Sequence, residues 1–162
     1  MSVKTYIGMG SNLGDSYQIL KDAVEKLRTL GHVTTSKLYQ SPPMGPQDQP
    51  NYLNAVACLE TDLEPLALLD QLQHFENESG RVRLRHWGER TLDLDLLIYG
   101  EASIQNERLT VPHVGVLERD FVVIPLLDLD PELQLRGQSL KHLPMLQYPT
   151  LVVLDNENWA TI

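Results

Sequence analysis

The chain has 162 residues, 42% of them hydrophobic, a size and composition typical of one globular domain with its own core. The formal net charge of -9 at pH 7 argues against a broad nucleic-acid surface, since backbone binding needs many distributed cations. No stretch approaches the roughly 18 apolar residues of a membrane span, and the N-terminus lacks the apolar run of a signal peptide. We therefore expect a single cytoplasmic domain over residues 1–162 that binds neither nucleic acid nor membrane.

The chain contains one cysteine, Cys58, within the apolar run N-A-V-A-C-L-E. A single cysteine forms no internal disulfide, and an apolar run of this kind is typical of a strand. We therefore expect a buried thiol in a protein of a reducing compartment.

The N-terminal segment predicts a strand, a turn and a helix. Lys4 to Met9 form the strand, G-S-N-L-G-D the turn, and the helix continues to about Leu30, where Gly31 closes it. A glycine-rich turn before a helix N-terminus also suggests phosphate binding, but this one lacks the P-loop spacing and lysine. We favour a tight turn in which Ser11 or Asn12 caps the helix.

Two further predicted strands, Val33 to Tyr39 and Tyr52 to Glu60, flank a stiff loop. The loop S-P-P-M-G-P-Q-D-Q-P contains four prolines and a glycine, which excludes regular structure. Tyr52 and Asn54 fall on one strand face, where a ring and an amide form a slot suited to a planar heterocycle. The alternative is a structural turn followed by an edge strand.

A second helix is predicted from about residue 64 to near residue 80, with Thr61 or Asp62 as its cap. Gln73 and Glu76 are three residues apart and share a face of this helix, beside its apolar stripe. Their side chains either line a pocket or are solvated on the helix surface.

Half of the eight arginines lie within ten residues, in R-V-R-L-R-H-W-G-E-R, which leads into T-L-D-L-D. Guanidinium groups suit forked contact with phosphate oxygens, although a charged run is also typical of a solvated loop. In a strand from Thr91 to Tyr99, Asp93 and Asp95 point to one face, roughly 6 to 7 Å apart, and the adjacent leucines point to the other. Oxygen ligands without clustered cysteine or histidine favour magnesium over zinc. The stretch predicts phosphate chemistry beside a cation site.

The stretch V-P-H-V-G-V-L-E-R-D-F contains three further candidates, His113, Arg119 and Phe121. Together they offer a hydrogen bond, a charge and a stacking ring to one ligand. The alternative for His113 is an isolated surface histidine.

The order of the predicted elements, β-α-β-β-α-β, indicates an α+β fold of the ferredoxin-like kind. We expect an antiparallel sheet with helices packed on it, an additional hairpin and a helical C-terminal cover. Near the C-terminus, L-K-H-L-P-M-L and T-L-V-V-L are interpreted as packing elements.

Five pieces of the chain follow one another in the order G-S-N-L-G, P-P-M-G-P-Q-D-Q-P-N-Y-L-N, G-R-V-R through R-H-W-G-E-R-T-L-D-L-D-L-L-I-Y-G, L-T-V-P-H and E-R-D-F-V. In this order and spacing they resemble the 6-hydroxymethyl-7,8-dihydropterin pyrophosphokinase family of folate biosynthesis, from residue 7 to about residue 126. The resemblance implies a monomeric enzyme that transfers pyrophosphate from ATP to the hydroxymethyl oxygen of the pterin and releases AMP.

The resemblance also implies roles for individual residues. Two Mg²⁺ ions that bridge the triphosphate would be held by Asp93 and Asp95. The residues at the pterin would be Ser41, Pro42, Met44, Tyr52, Asn54, Trp87 and Phe121. Those at ATP would be Gln73, Glu76, Arg81, Arg83, Arg90, Leu96, Thr110, His113 and Arg119. The catalytic set would be Arg81, Arg83, Trp87, Arg90, Asp93 and Asp95.

Three positions depart from the family pattern. Glu89 replaces a usual proline, His86 a common arginine, and Val114 a larger residue or a proline. Loss of a stiffening residue and of a permanent charge leaves room for a paralogue with an altered substrate. A non-catalytic pterin or nucleotide-binding module and a magnesium-dependent phosphohydrolase are two further alternatives. Both candidate metal aspartates are retained, which favours the pyrophosphokinase.

Overall fold

The computed structural model describes residues 2–42, 48, 50–79, 91–155 and 159–160. Its main sheet is built from strands of the first hundred residues and one from the C-terminal segment. These strands are β1 (Val3–Ser11), β2 (Gly31–Thr35), β3 (Leu38–Ser41), β4 (Tyr52–Thr61), β5 (Asp93–Tyr99) and β10 (Val152–Asp155). Two short hairpins are formed by β6 (Ile104–Gln105) with β7 (Thr110–Val111) and by β8 (Gln134–Leu135) with β9 (Gln138–Ser139).

Three α-helices accompany the sheet: α1 (Ser16–Arg28), α2 (Pro65–Glu78) and α3 (Asp120–Leu129). Short 3-10 turns occupy Val116–Glu118, Leu140–His142 and Pro144–Gln147. Within the described ranges, no helix is long and apolar enough to cross a membrane.

The strand order in the main sheet is β10-β3-β4-β1-β5, and β2 also pairs with β4. All of these pairings are antiparallel, and β2 and β3 lie end to end along the same side of β4. The predicted ferredoxin-like α+β fold with added hairpins is therefore confirmed. Because β4 is an interior strand, the alternative that placed Tyr52 and Asn54 on an edge strand is wrong.

The predicted strand from Val33 to Tyr39 is divided at Ser36. The Ser36 amide donates to the Val56 carbonyl and the Ser36 hydroxyl accepts from the Val56 amide, both at 2.9 Å. This side-chain bond takes one place in the backbone ladder, so the pairing with β4 is interrupted there and resumes as β3.

The two faces of the sheet have different covers. One face packs against α1 and α2 through a core that includes Ile7, Leu20 and Leu72, all fully buried. The opposite face, which we call the site face, packs against α3 around Tyr6, Val56 and Cys58. The prediction of a buried thiol is confirmed, and burial raises the pKa of Cys58.

Two predicted helix caps are wrong. The α1 cap is Asp15, whose side chain accepts from the Gln18 amide at 3.3 Å, because β1 continues through Ser11 and the turn comes later than expected. The α2 cap is Glu64, which makes no side-chain capping bond, while Thr61 ends β4 and donates to the Leu30 carbonyl at 2.9 Å.

The C-terminal segment T-L-V-V-L forms the edge strand β10, and its prediction as a packing element is wrong. Val152, Val153 and Leu154 are 63%, 54% and 46% exposed. In L-K-H-L-P-M-L, by contrast, Leu140 is fully buried beneath α3.

Gly31 does not close α1, which ends at Thr29, but begins β2 opposite Thr61. A Cβ built on Gly31 would lie 1.9 Å from the Glu60 carbonyl oxygen, a backbone atom that cannot move aside alone. The glycine therefore allows the close approach of β2 to β4.

Replacing Gly31 with alanine should destabilise the protein by about 1 to 3 kcal/mol, because the two strands must separate to admit the methyl group. Denaturant unfolding of Gly31→Ala measures this loss. Gly8→Ala is the matched control, since its Cβ would meet nothing nearer than 3.4 Å. Equal stability of the two variants would contradict the close-approach explanation.

Candidate functional site

The site face carries one row of residues that crosses three strands. Gly10 of β1 is the register partner of Asn54 in β4 on one side and of Asp93 in β5 on the other. Opposed residues of an antiparallel pair point to the same face, so the amide and the carboxylate flank a position without a side chain. In the next row along β1, Gly8 lies between Val56 and Asp95.

Asp93 and Asp95 share the site face as predicted, because the alternate residues Leu92, Leu94 and Leu96 are buried in the opposite core. Asp93 is half-buried and Asp95 is exposed. The sequence identified the two aspartates but missed Gly8 and Gly10, although the alternation G-M-G within a strand places both glycines on one face.

The carboxylate pair fits Mg²⁺ by its chemistry. Two hard oxygen donors on one strand are the usual protein contribution to a magnesium site, with water and phosphate oxygens completing the octahedron. Among the described residues, no group of three or more His, Cys, Asp or Glu side chains is arranged to hold a metal ion.

At the other end of the row, Asn54 is only 5% exposed. Its Nδ2 donates to the Ser41 hydroxyl at 2.6 Å, and Ser41 is itself buried beside Tyr52, its register partner. Tyr52 is half-buried and Pro42 exposed. The structure thus brings together Ser41, Tyr52 and Asn54 of the predicted pterin slot.

The proline-rich loop ends at Pro50, which is held in place by Asn12, one of the two residues that the sequence analysis proposed as the cap of α1. Asn12 is 3% exposed, and its Nδ2 donates to the Pro50 carbonyl at 2.9 Å. Pro50 lies two residues before Tyr52, so Asn12 holds the loop where it enters the slot.

Glu76 is 5% exposed, and the interpretation of Glu76 as a solvated helix residue is wrong. Its Oε2 accepts a hydrogen bond from the Leu94 amide at 2.8 Å. Leu94 lies between Asp93 and Asp95, so this buried carboxylate joins α2 to the segment of β5 that carries the aspartate pair.

Gln73 is exposed on α2, and its Oε1 accepts from Arg108 at 3.3 Å. Arg108 lies in the β6–β7 hairpin, two residues before Thr110, and also forms an ion pair with Asp70 at 2.5 Å. This ion pair joins the hairpin to α2. The hairpin approaches β5 where the His113 amide donates to the Leu97 carbonyl at 2.8 Å, next to buried Leu96. The fold therefore brings Gln73, Leu96 and Thr110 into one region.

His113 and Arg119 both lie against Gly115 in a tight turn. The Nδ1 atom of His113 accepts from the Gly115 amide at 3.0 Å, so the ring carries its proton on Nε2 and presents a donor there. A Cβ on Gly115 would lie 2.8 Å from the Arg119 guanidinium. The guanidinium also lies 5.9 Å from the ring centroid of Phe121, at the start of α3. Val114, within the turn, is 64% exposed.

Some predicted site residues lie outside the described residues. They are Met44, Arg81, Arg83, Trp87 and Arg90, together with the departures His86 and Glu89.

The sequence profile of the 7,8-dihydro-6-hydroxymethylpterin-pyrophosphokinase (HPPK) family matches residues 6–131. The chain belongs to this family. It is 54% identical over 141 residues to the 2-amino-4-hydroxy-6-hydroxymethyldihydropteridine pyrophosphokinase of Haemophilus influenzae, with 85% of this chain and 88% of that protein covered. Identity to the Pseudomonas aeruginosa enzyme of the same name is 48% over 149 residues, covering 90% and 91%. The chain is therefore a pyrophosphokinase, as the sequence resemblance implied.

Solved structures support the fold. The Plasmodium falciparum HPPK-DHPS triple mutant superposes with a TM-score of 0.71 at 14% identity, covering 88% of this chain and 43% of that chain. The wild-type protein with pteroate gives the same TM-score and identity, with coverages of 88% and 42%. This chain thus spans less than half the length of these HPPK-DHPS chains.

If Arg119 contacts ATP as the family resemblance implies, replacing Gly115 with alanine should raise the KM for ATP roughly tenfold, because the new methyl group displaces the Arg119 guanidinium from its position against Gly115. Gly115 has φ -91° and ψ 0°, the backbone angles of the third residue of a type I turn, a position compatible with most residues, so thermal stability should change little. Steady-state kinetics at saturating pterin provide the measurement.

Val114→Ala, at the exposed neighbouring position, is the matched control and should behave as the unaltered protein. An unchanged KM for ATP in Gly115→Ala would show that the position of Arg119 does not affect nucleotide binding.

Proposed function

We propose that this chain transfers the pyrophosphoryl group of ATP to the hydroxymethyl oxygen of 6-hydroxymethyl-7,8-dihydropterin, giving the pterin diphosphate and AMP. The observation that carries the proposal is the row in which Gly10 separates a buried amide from a carboxylate pair. One end suits the edge of a planar heterocycle and the other suits a magnesium triphosphate.

The acceptor binds at the Asn54 end. The Tyr52 ring stacks on one face of the pterin, and Phe121, on the side of the sheet covered by α3, provides the second ring. The Asn54 amide, fixed by Ser41, hydrogen-bonds to the pterin edge, with Pro42 and Met44 from the loop beside it. Buried, hydrogen-bonded donors and acceptors reject ligands that leave them unpaired, so this amide provides specificity.

ATP binds at the other end of the row. Asp93 and Asp95 would hold two Mg²⁺ ions there, which would neutralise charge on the triphosphate. His113, through its Nε2 donor, and Arg119 contact phosphates, as do the arginines of the 81–90 segment. Gln73, Glu76, Leu96 and Thr110 define the nucleoside side.

The chain contributes positioning to the reaction more than covalent chemistry. The hydroxymethyl oxygen forms a bond to the β-phosphorus while the bond from that phosphorus to the oxygen bridging to the α-phosphate breaks, and AMP leaves in line. Asp93, the aspartate in the same row as Asn54, is placed to orient the hydroxyl and accept its proton. All of these residues belong to one chain, so we expect a monomer, and we expect it to act in the cytoplasm.

The test is the nucleotide product formed from MgATP with and without 6-hydroxymethyl-7,8-dihydropterin. The unaltered protein should form AMP only when the pterin is present. Asp95→Ala should lose at least about a hundredfold in AMP formation, because half of the carboxylate pair is removed.

Asp62→Ala is the matched control and should retain full activity. Asp62 is an exposed aspartate just after the C-terminal end of β4, whereas Asn54 lies near the N-terminal end of that strand. AMP or ADP formation independent of the pterin would contradict the proposal, and so would full activity in Asp95→Ala.

A further inference from the structure

Asp120, the first residue of α3, joins this helix to a distant part of the chain. Its Oδ2 atom accepts from the Thr150 amide at 2.5 Å and from the Thr150 hydroxyl at 2.7 Å. A carboxylate makes shorter and stronger hydrogen bonds than a neutral acceptor does. Two such bonds on one oxygen tether the first turn of α3 to the C-terminal segment.

The segment that receives this tether belongs to the main sheet. Thr150 lies two residues before β10, in which Val152 is the register partner of Gln40 in β3. The residue after Gln40 is Ser41, which lies opposite Tyr52 of β4. The tether thus connects the start of α3, through β10 and β3, to the strand that carries Tyr52.

Asp120 lies between two residues that the proposed function places at the substrates. The Arg119 guanidinium packs against Gly115, so the turn on that side holds it independently of Thr150. Phe121 is half-buried and packs on the core beneath α3. The position of its ring depends on where the first turn of α3 lies.

The other end of α3 has a separate attachment to the sheet. Asp128 Oδ2 accepts from the Tyr39 hydroxyl at 2.5 Å and from the Lys37 amide at 3.2 Å. Asp128 lies seven residues after Phe121, roughly 10 Å along the helix axis. The Asp120 tether is therefore the attachment that lies next to Phe121.

We propose that Asp120 and Thr150 are positioning residues that set the separation between Phe121 and Tyr52, and thereby the affinity for the pterin. A ring that stacks between two aromatic side chains needs them at a fixed spacing, and these two belong to different elements. The inference rests on the proposed function and adds the C-terminal segment to it. Thr150 lies beyond residues 6–131, the span that the family profile matches.

Asp120→Ala removes both hydrogen bonds and should raise the KM for the pterin about fivefold, with kcat and the KM for ATP changed by less than about twofold. Asp120→Asn keeps a side-chain oxygen at the same place and should recover most of the affinity. Asp128→Ala is the matched control, because it removes two hydrogen bonds at the other end of the same helix. It should lower the melting temperature at least as much as Asp120→Ala and leave the KM for the pterin unchanged.

An unchanged pterin KM in Asp120→Ala would overturn the inference. An equal rise in Asp128→Ala would also overturn it, because any loosening of α3 would then have the same effect. If the unaltered protein forms no pterin-dependent AMP, the proposed function fails instead, which is a distinguishable outcome.

Should Asp120→Ala not fold, amide hydrogen exchange measured by NMR on the unaltered protein gives the same decision. Binding and the tether stabilise each other reciprocally, so adding the pterin to protein with Mg²⁺ and a methylene analogue of ATP should slow exchange of the Thr150 amide. The Glu132 amide is the control, since it donates to Asp130 Oδ1 at 3.1 Å beyond the other end of α3, and its rate should not change. Equal slowing of both amides, or no slowing at Thr150, would overturn the inference.

Discussion

The site depends on one physical constraint, the backbone register that β1 keeps with both of its neighbours. Antiparallel hydrogen bonding fixes which residues are opposite, and a shift of one residue in either ladder would turn every side chain of that strand to the other face. The observed register places Asn54, Gly10 and Asp93 in one row. In the proposed function, acceptor recognition and metal binding are therefore neighbouring events on one sheet, and sites built on strands are held more precisely than sites built on loops.

The rest of the molecule maintains this row. On the opposite face the buried leucines of β5, packed with α1 and α2, force Asp93 and Asp95 to point outward. Glu76 accepts a hydrogen bond from the Leu94 amide, which joins α2 to β5 beside the row. On the site face, α3 packs around Tyr6, Val56 and Cys58.

The sequence predicted the features that follow from local periodicity and from the family motifs. Alternation assigned Asp93 and Asp95 to one face, and the element order gave the ferredoxin-like fold. What it missed depends on non-local contacts. No local pattern shows that Gly31 approaches Glu60 from another strand, or that Glu76 is buried against Leu94. The helix caps were misplaced because β1 extends to Ser11, an extension stabilised by pairing with Leu53. Gly10 was assigned to the turn for the same reason.

The most direct test of the shared row is a crystal structure of the protein with Mg²⁺, a methylene analogue of ATP and 6-hydroxymethyl-7,8-dihydropterin. We expect the pterin ring beside Tyr52, with its edge hydrogen-bonded to the Asn54 amide and its hydroxymethyl group directed toward the metal ions at Asp93 and Asp95. A pterin bound elsewhere, or metal ions held by residues other than these two aspartates, would contradict the assignment of both substrates to one row.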